Sequence, residues 1–224
     1  TTLDPAGLGA AEAYDLTIWM TVAFGGVFVF VMALVWFAWV RNRPAGRWWI
    51  WGGGIVLPMI AVVAVLVLST AALVATTREE PDAMVIEVTG YQFWWDVVYD
   101  PEGVALRDAN ELVLPVNRPV TLRLKTADVI HSFWVPSISG KMDMIPGRVN
   151  QLTITATETG RFRGQCAEFC GLSHPLMAFE VTVLPAEAFD EWLDLTQGEA
   201  RDVARTSLVQ GRDTFIREGC PACH

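Results

Sequence analysis

The sequence predicts a membrane-anchored all-β protein: a two-helix transmembrane hairpin, then a β-sandwich or barrel, then C-terminal helices. Three observations carry this prediction. Two long stretches near the front hold no charged side chain. After Glu80-Pro81 the hydrophobic periodicity changes from helical to alternating. Charge, finally, collects at the back: beyond Thr76 there are 13 basic and 22 acidic residues, which account for the whole net charge of −9. The 224 residues are 52% hydrophobic and 18% charged, with a mean hydropathy of +0.35. That excludes a disordered chain and suits a wholly soluble globule poorly, since about 25% charged residues is usual there. The acidic balance argues against nucleic acid as a partner.

The hairpin occupies residues 17–77. Thr17 to Val40 is 24 residues without a charge, and Trp48 to Thr77 is a second such run. About 20 apolar residues cross a bilayer core of roughly 30 Å. Both runs are too long for the core of a signal peptide. The connection Arg41 to Arg47 carries Arg41, Arg43 and Arg47 and nothing acidic, whereas the tail 1–16 carries Asp4, Glu12 and Asp15 with no base. Basic loops stay in the cytoplasm. The expectation is therefore a membrane protein with two spans, both termini and the distal domain lying on the exterior face. Trp48, Trp49 and Trp51 stand where an interfacial aromatic belt belongs. Pro58 and the run Gly52-Gly53-Gly54 weaken an isolated helix and imply packing against neighbouring helices in the lipid. A chain that opens on Thr1 rather than Met leads us to expect that an upstream segment was removed.

The β domain is expected over residues 84–184. Val120, Leu122 and Leu124 alternate with Thr121, Arg123 and Lys125, and Leu152, Ile154 and Ala156 with Thr153, Thr155 and Thr157. Phe179, Val181 and Val183 alternate with Glu180 and Thr182. Such short runs, punctuated by Asn117-Arg118-Pro119, Pro146-Gly147 and Thr159-Gly160, indicate an antiparallel sandwich or barrel. Pro185 then opens a helix and linker over 185–198. A second helix is expected from about Glu199 to Glu218, with Thr196-Gln197-Gly198 as a hinge between the two.

The four cysteines and three histidines fall into two groups. Cys166, Cys170 and His174 lie within nine residues, Met177 follows, and His131 precedes Cys166 by 35 residues. Outside the membrane Cys166 and Cys170 could form a structural disulfide, but a disulfide has no need of His174 and Met177 in the same loop. Thiolate, imidazole and thioether together form a soft ligand set that favours copper, whereas zinc takes Cys and His without Met. A mononuclear blue-copper centre uses one Cys, two His and a weak Met. The second Cys supplies the count for a binuclear site, with two bridging thiolates, one His per metal and one weak ligand apiece. In this reading His131 ends one strand, and the loop joins a strand ending near Arg163 to one near Phe179.

The run Gly164-Gln165-Cys166-Ala167-Glu168-Phe169-Cys170-Gly171-Leu172-Ser173-His174-Pro175-Leu176-Met177 resembles the copper loop of cytochrome c oxidase subunit II. The stretches His131-Ser132-Phe133-Trp134-Val135-Pro136 and Lys141-Met142-Asp143-Met144-Ile145-Pro146-Gly147-Arg148 resemble that family's other signature. The resemblance spans about residues 15 to 195 and implies a cupredoxin-like domain. It implies that Cys166 and Cys170 bridge both coppers of the mixed-valence pair called CuA. His131 and Met177 would complete one copper, His174 and the backbone carbonyl of Glu168 the other. The Glu168 side chain would reach a magnesium ion at the boundary with subunit I. Function follows by the same resemblance: CuA takes electrons from cytochrome c and passes them to haem in subunit I. That subunit reduces oxygen to water and translocates protons, and subunit III is a further partner. The catalysis of oxygen reduction would thus lie outside this chain.

Two positions depart from the family pattern. Relatives carry a Trp implicated in electron arrival where Phe93 stands, so Phe93, Trp94 and Trp95 are the candidate aromatics, with packing beneath the loop as the alternative role. Relatives often carry a Glu near the start of the second span, where Trp51 stands, so no proton-path role is expected. At the other end, Gly219-Cys220-Pro221-Ala222-Cys223-His224 is the c-type haem attachment pattern, with Cys220 and Cys223 for the thioethers and His224 as proximal ligand. A zinc knuckle is its alternative. The haem c reading makes residues 199–224 the start of a fused cytochrome c domain, with on the order of 100 further residues expected beyond His224. Rivals to the whole reading are a quinol oxidase subunit, which lacks the copper ligands, the soluble nitrous oxide reductase, and a tethered copper carrier, which should present an open site.

Overall fold

The computed structural model describes residues 3–41, 46–76, 83–99, 106–196 and 206–220. Two helices come first: α1 (Leu8–Arg41), and α2 (Leu57–Thr76) preceded by a π-helical stretch over Trp49–Val56. Both are long and apolar enough to cross a membrane, and the apolar window of each buries none of its residues within the chain. A helix that is hydrophobic all round and exposed within its own chain needs lipid or neighbouring helices to cover it. The hydroxyls of Thr17, Thr21 and Thr70 donate to carbonyls one turn back, those of Ala13, Thr17 and Leu66, at 2.7, 2.7 and 2.8 Å. Their polarity is thereby satisfied inside the helix, as the bilayer demands.

The glycine run and Pro58 have a specific consequence. Pro58 has no N–H to donate, and just before it the Leu57 N–H reaches the Gly52 carbonyl, a five-residue step. A π stretch absorbs the interruption without ending the helix.

α1 begins nine residues before the uncharged run, and its start is held by the β domain. The N–H groups of Ala6, Leu8 and Ala10 donate to the carbonyls of Ser137, Thr155 and Ile138 at 2.6, 3.0 and 3.1 Å, and Thr157 N–H returns a bond to Ala6 O at 2.8 Å. Ala6 and Ala10 are buried. A Cβ on Gly7 would run into the Ile138 backbone, so only glycine permits this approach.

Ten strands build the domain: β1 (Met84–Tyr91), β2 (Trp94–Tyr99), β3 (Leu106–Ala109), β4 (Glu111–Pro115), β5 (Val120–Thr126), β6 (His131–Trp134), β7 (Met142–Met144), β8 (Asn150–Ile154), β9 (Gly160–Cys166) and β10 (Ala178–Leu184). They form two five-stranded sheets ordered β3-β2-β1-β5-β8 and β4-β10-β9-β6-β7. The alternation read from the sequence holds: Val120, Leu122, Leu124, Leu152, Ile154 and Val181 all face the interior. Thr121 breaks the rule: it is buried on the other face, its hydroxyl 3.3 Å from that of Thr153 on β8.

The expectation of a purely antiparallel sandwich needs correction. β1 pairs with β5 in parallel, and β4 with β10 likewise. Parallel partners need a crossover, and here the chain supplies it by stepping into the opposite sheet at β4 and returning at β5.

Two C-terminal helices follow, α3 (Ala186–Thr196) and α4 (Thr206–Arg217). Pro185 offers its carbonyl to the Phe189 N–H at 2.9 Å, opening α3, and Phe189 is fully buried. Trp192, a turn later, meets Tyr99 edge-on at 5.2 Å between ring centres. The expected hinge at Gln197-Gly198 lies outside the described residues.

Candidate metal centre

β9 delivers Cys166 at its last residue, three positions later than the sequence reading ended that strand. The chain then loops through Cys170 and makes a 3₁₀ turn over His174–Leu176, with Pro175 fixing the first step. It rejoins the sheet at β10, and the loop closes on itself where Cys166 N–H donates to Met177 O at 2.9 Å. His131 opens β6 instead of ending a strand. The reversal has a local cause: after β5 the Thr126 hydroxyl donates to Val129 O at 2.6 Å, folding the chain into a bend before β6 begins.

These elements bring the expected side chains together. One donor atom each from His131, Cys166 and Cys170 lies within 4.8 Å of the other two, and all three residues are buried. Cys166 Sγ stands 3.8 Å from His131 Nδ1, 3.9 Å from Cys170 Sγ and 3.1 Å from the Glu168 carbonyl oxygen. Cys170 Sγ stands 3.5 Å from His174 Nδ1 and 3.6 Å from Met177 Sδ. The Glu168 carboxylate is exposed. Cys220 is half-buried just beyond α4. Cys223 and His224 lie outside the described residues.

The aromatic trio separates by depth. Trp95 is fully buried on the floor beneath the site, its ring centre 6.2 Å from His131, 5.9 Å from Phe133 and 5.1 Å from Phe179. Trp94 is at the surface, stacked on Tyr91 at 4.7 Å. Phe93 lies against the loop at Gly171.

Sequence reasoning missed the residues that aim the candidate ligands. Asp128 takes a 2.8 Å hydrogen bond from His131 Nε2, which commits that nitrogen and leaves Nδ1 turned to Cys166. A carboxylate bonded to the far nitrogen of a ligating His is the usual way such a ring is oriented. The spacing of three residues in a turn was the one available signal. Gly90 on β1 was missed too: a Cβ there would sit 2.9 Å from the His131 ring, so the imidazole fits only because the strand has no side chain at that point.

The electrostatics split the thiols. Burial pushes Cys166 up, but hydrogen bonding, led by His131, outweighs it and holds the thiol at about 6. Burial and then the neighbouring Cys166 charge push Cys170 up to about 11. Burial alone would lower His131, yet its bonds to Cys166 and Asp128 leave it raised. Asp128, despite burial, is held below its ordinary value by His131 and by the N–H groups of Gln92 and Val129.

A membrane-spanning hairpin that carries a two-sheet cupredoxin-like domain, with thiol, imidazole and thioether donors gathered at one loop, defines a membrane-anchored copper-binding protein. A family model for the periplasmic domain of cytochrome c oxidase subunit II matches residues 77–184. The cytochrome c oxidase subunit 2 of Alkalihalophilus pseudofirmus is 33% identical over 241 residues, covering 100% of this chain and 70% of that protein. That of Bacillus subtilis is 31% identical over 251 residues, with the same shares. The crystal structure of the periplasmic domain of subunit II of cytochrome oxidase from Bradyrhizobium japonicum is 31% identical, with a TM-score of 0.49 over 54% of this chain and 96% of that one. The chain belongs to the cytochrome c oxidase subunit II family and is the CuA-type, electron-accepting subunit of a haem–copper oxidase, anchored in the membrane with an exterior domain.

Proposed function

We propose that Cys166 and Cys170 bridge two coppers, that His131 and Met177 complete one, and that His174 and the Glu168 carbonyl complete the other. The supporting observation is the convergence of soft donors from β6 and from the loop between β9 and β10. The donor chemistry fits copper: two thiols, two imidazoles and a thioether, with no carboxylate oxygen grouped with them among the described residues. When bound, such a pair supplies a one-electron carrier whose charge is shared between two metals. The chain's own residues hold the donors on a stiff sheet, orient His131 through Asp128, and keep water from the thiols by burying them.

The remaining roles follow as parts of the same proposal. Electrons come from cytochrome c, or from a c-type haem fused through Cys220, Cys223 and His224, and leave to haem in subunit I, where oxygen is reduced and protons are moved. Phe93, which touches the copper loop, and Trp94, at the surface beside it, offer a path inward, while buried Trp95 serves as the floor. The exposed carboxylate of Glu168 is suited to a magnesium ion shared with subunit I, and subunit III completes the assembly. The exterior face bears the β domain and the N-terminal tail. Their mutual hydrogen bonds support placing them on one side of the membrane, and Arg41, Arg43 and Arg47 support placing the connection in the cytoplasm. The domain boundaries follow the sequence reading, 17–77 for the hairpin and 84–184 for the copper domain.

The test is substitution of the bridges. Cys166→Ser and Cys170→Ser should each abolish the delocalised two-copper paramagnetic resonance signal while circular dichroism keeps the β signature, because the core of the domain is apolar side chains and not metal. Two coppers retained in either variant overturn the bridging assignment.

A further inference from the structure

The turn between β1 and β2 touches both halves of the metal centre through one residue. The Gln92 backbone N–H donates to Asp128 Oδ2 at 2.7 Å, and the other carboxylate oxygen of Asp128 holds His131 Nε2. The Gln92 side chain points the other way: its Nε2 donates to the Cys170 carbonyl at 2.5 Å. The loop backbone rests on this same turn, since a Cβ on Gly171 would sit 3.0 Å from Gln92 Nε2 and 3.1 Å from the Phe93 ring. His131 and Cys170 come from separate elements, and no hydrogen bond described links those two residues directly to one another.

We infer that Gln92 is a positioning residue of the copper centre: it is a strut that fixes the spacing between the His131 side and the Cys170 loop. The inference rests on the binuclear copper reading. A single residue can do this because it has two donors facing opposite ways along the turn, its main-chain N–H and its side-chain carboxamide. Neither a shorter side chain nor a non-donating one spans from Asp128 to the Cys170 carbonyl. Fixing this spacing matters for an electron carrier because any change in ligand separation between oxidation states slows transfer. Partners that orient ligands are worth about 10- to 100-fold in metal affinity.

Gln92→Leu keeps the backbone bond to Asp128 and removes only the link to Cys170. In the full chain in detergent, loaded with copper, it should release copper to a strong copper(I) chelator about tenfold faster than the parent and alter the copper hyperfine pattern. The metal-free chain gives a second readout: Cys170 alkylation at fixed pH should rise about tenfold once the loop is freed, while total thiol count and circular dichroism stay the same. Combined with Asp128→Asn, the two effects should be clearly non-additive, since both residues belong to one linkage. Gln92→Glu keeps the shape but sets an acceptor against the Cys170 carbonyl, and should match or exceed the Leu effect. Parent-like release, hyperfine and alkylation in Leu and Glu variants overturn the strut, as does strict additivity with Asp128→Asn. A parent chain that takes up no copper pair defeats the proposed function instead, and the alkylation arm still judges Gln92.

Discussion

Leu66 in α2 and Leu122 in β5 carry the same side chain in opposite surroundings: Leu66 is 63% exposed and Leu122 wholly buried between the sheets. The contrast runs through the molecule. The hairpin places Phe, Val, Leu and Trp on every side of its helices and satisfies its polar groups within each helix, so its stability depends on what surrounds it. The β domain turns one side of each strand inward and closes a core around Trp95, Tyr99 and Phe133. Its stability is internal, and that is what allows it to hold the clustered donor side chains at fixed distances. The clustered donors accordingly sit at strand ends, His131 at the start of β6 and Cys166 at the close of β9.

The sharpest probe of this contrast is one substitution made twice. Leu122→Ala should cost about 2–5 kcal/mol, the usual result of a cavity in a packed core. Leu66→Ala should change stability by no more than about 0.5 kcal/mol, as surface substitutions do. Denaturant unfolding of the full chain in detergent, followed by near-ultraviolet dichroism of the β domain, measures both. Equal costs would mean that α2 is packed against the chain itself.

The two regions meet at Gly7, and the next prediction breaks that junction. Gly7→Val drives a branched side chain into the Ile138 backbone, an overpacking worth about 1–3 kcal/mol. Amide exchange at Leu8 and Thr157, two of the donors of this tie, should accelerate while exchange in the centre of β5 stays slow. Unchanged exchange at Thr157 would show that the tail does not depend on the tie.

Inside the domain, Tyr99 gives a smaller effect with a definite sign. Its phenol oxygen accepts the Val113 N–H at 2.6 Å, and burial raises its pKa above the ordinary 10.0. A raised value means that the neutral form is the one the fold accommodates. The associated stability is fully present below pH 10 and is lost as pH rises through the folded value. Tyr99→Phe should cost about 1 kcal/mol at neutral pH by orphaning a buried N–H and should flatten the alkaline loss. A variant with the parent's alkaline profile would assign that loss to other groups.

The hairpin was legible because absence of charge is read one residue at a time, and the cluster of donor side chains because soft groups in a tight loop have few other uses. The alternation of β5, β8 and β10 was legible for a similar reason, since period two is local. What escaped depends on pairing across the chain. Gln92 meets Asp128 across 36 positions and Cys170 across 78, and nothing near Gln92 in sequence announces either contact. The parallel pairs β1–β5 and β4–β10 escaped because alternation gives the face of a strand but not its neighbour. The docking of Ala6 to Ala10 escaped because small residues in a short tail carry no pattern. The Glu168 carbonyl was reached only through family resemblance, since any residue has a carbonyl and only the fold turns this one toward Cys166.

The smallest change that distinguishes the ligand loop from the rest of the domain is one proton. Cys166 and Cys170 are four residues apart and equally buried by position, yet the first is held at about 6 and the second pushed up to about 11. For Cys166 the depressed value means a stabilising contribution that is complete above the ordinary 9.0 and lost as pH falls through about 6. For Cys170 the sign reverses, because burial and the adjacent thiolate oppose its ionisation. Alkylation of the metal-free chain, read residue by residue by mass spectrometry, should therefore show Cys166 reacting with a midpoint near the lower value while Cys170 stays protected until strongly alkaline pH. His131→Leu removes the leading hydrogen bond that lowers Cys166, so its midpoint should climb toward the ordinary thiol value. Cys170 should in turn ionise more readily at neutral pH, since its neighbour no longer carries a charge there. Two thiols that titrate together near 9 in the parent chain would show that the loop is not preset for metal by its imidazole, and that copper itself must draw the ligands into place.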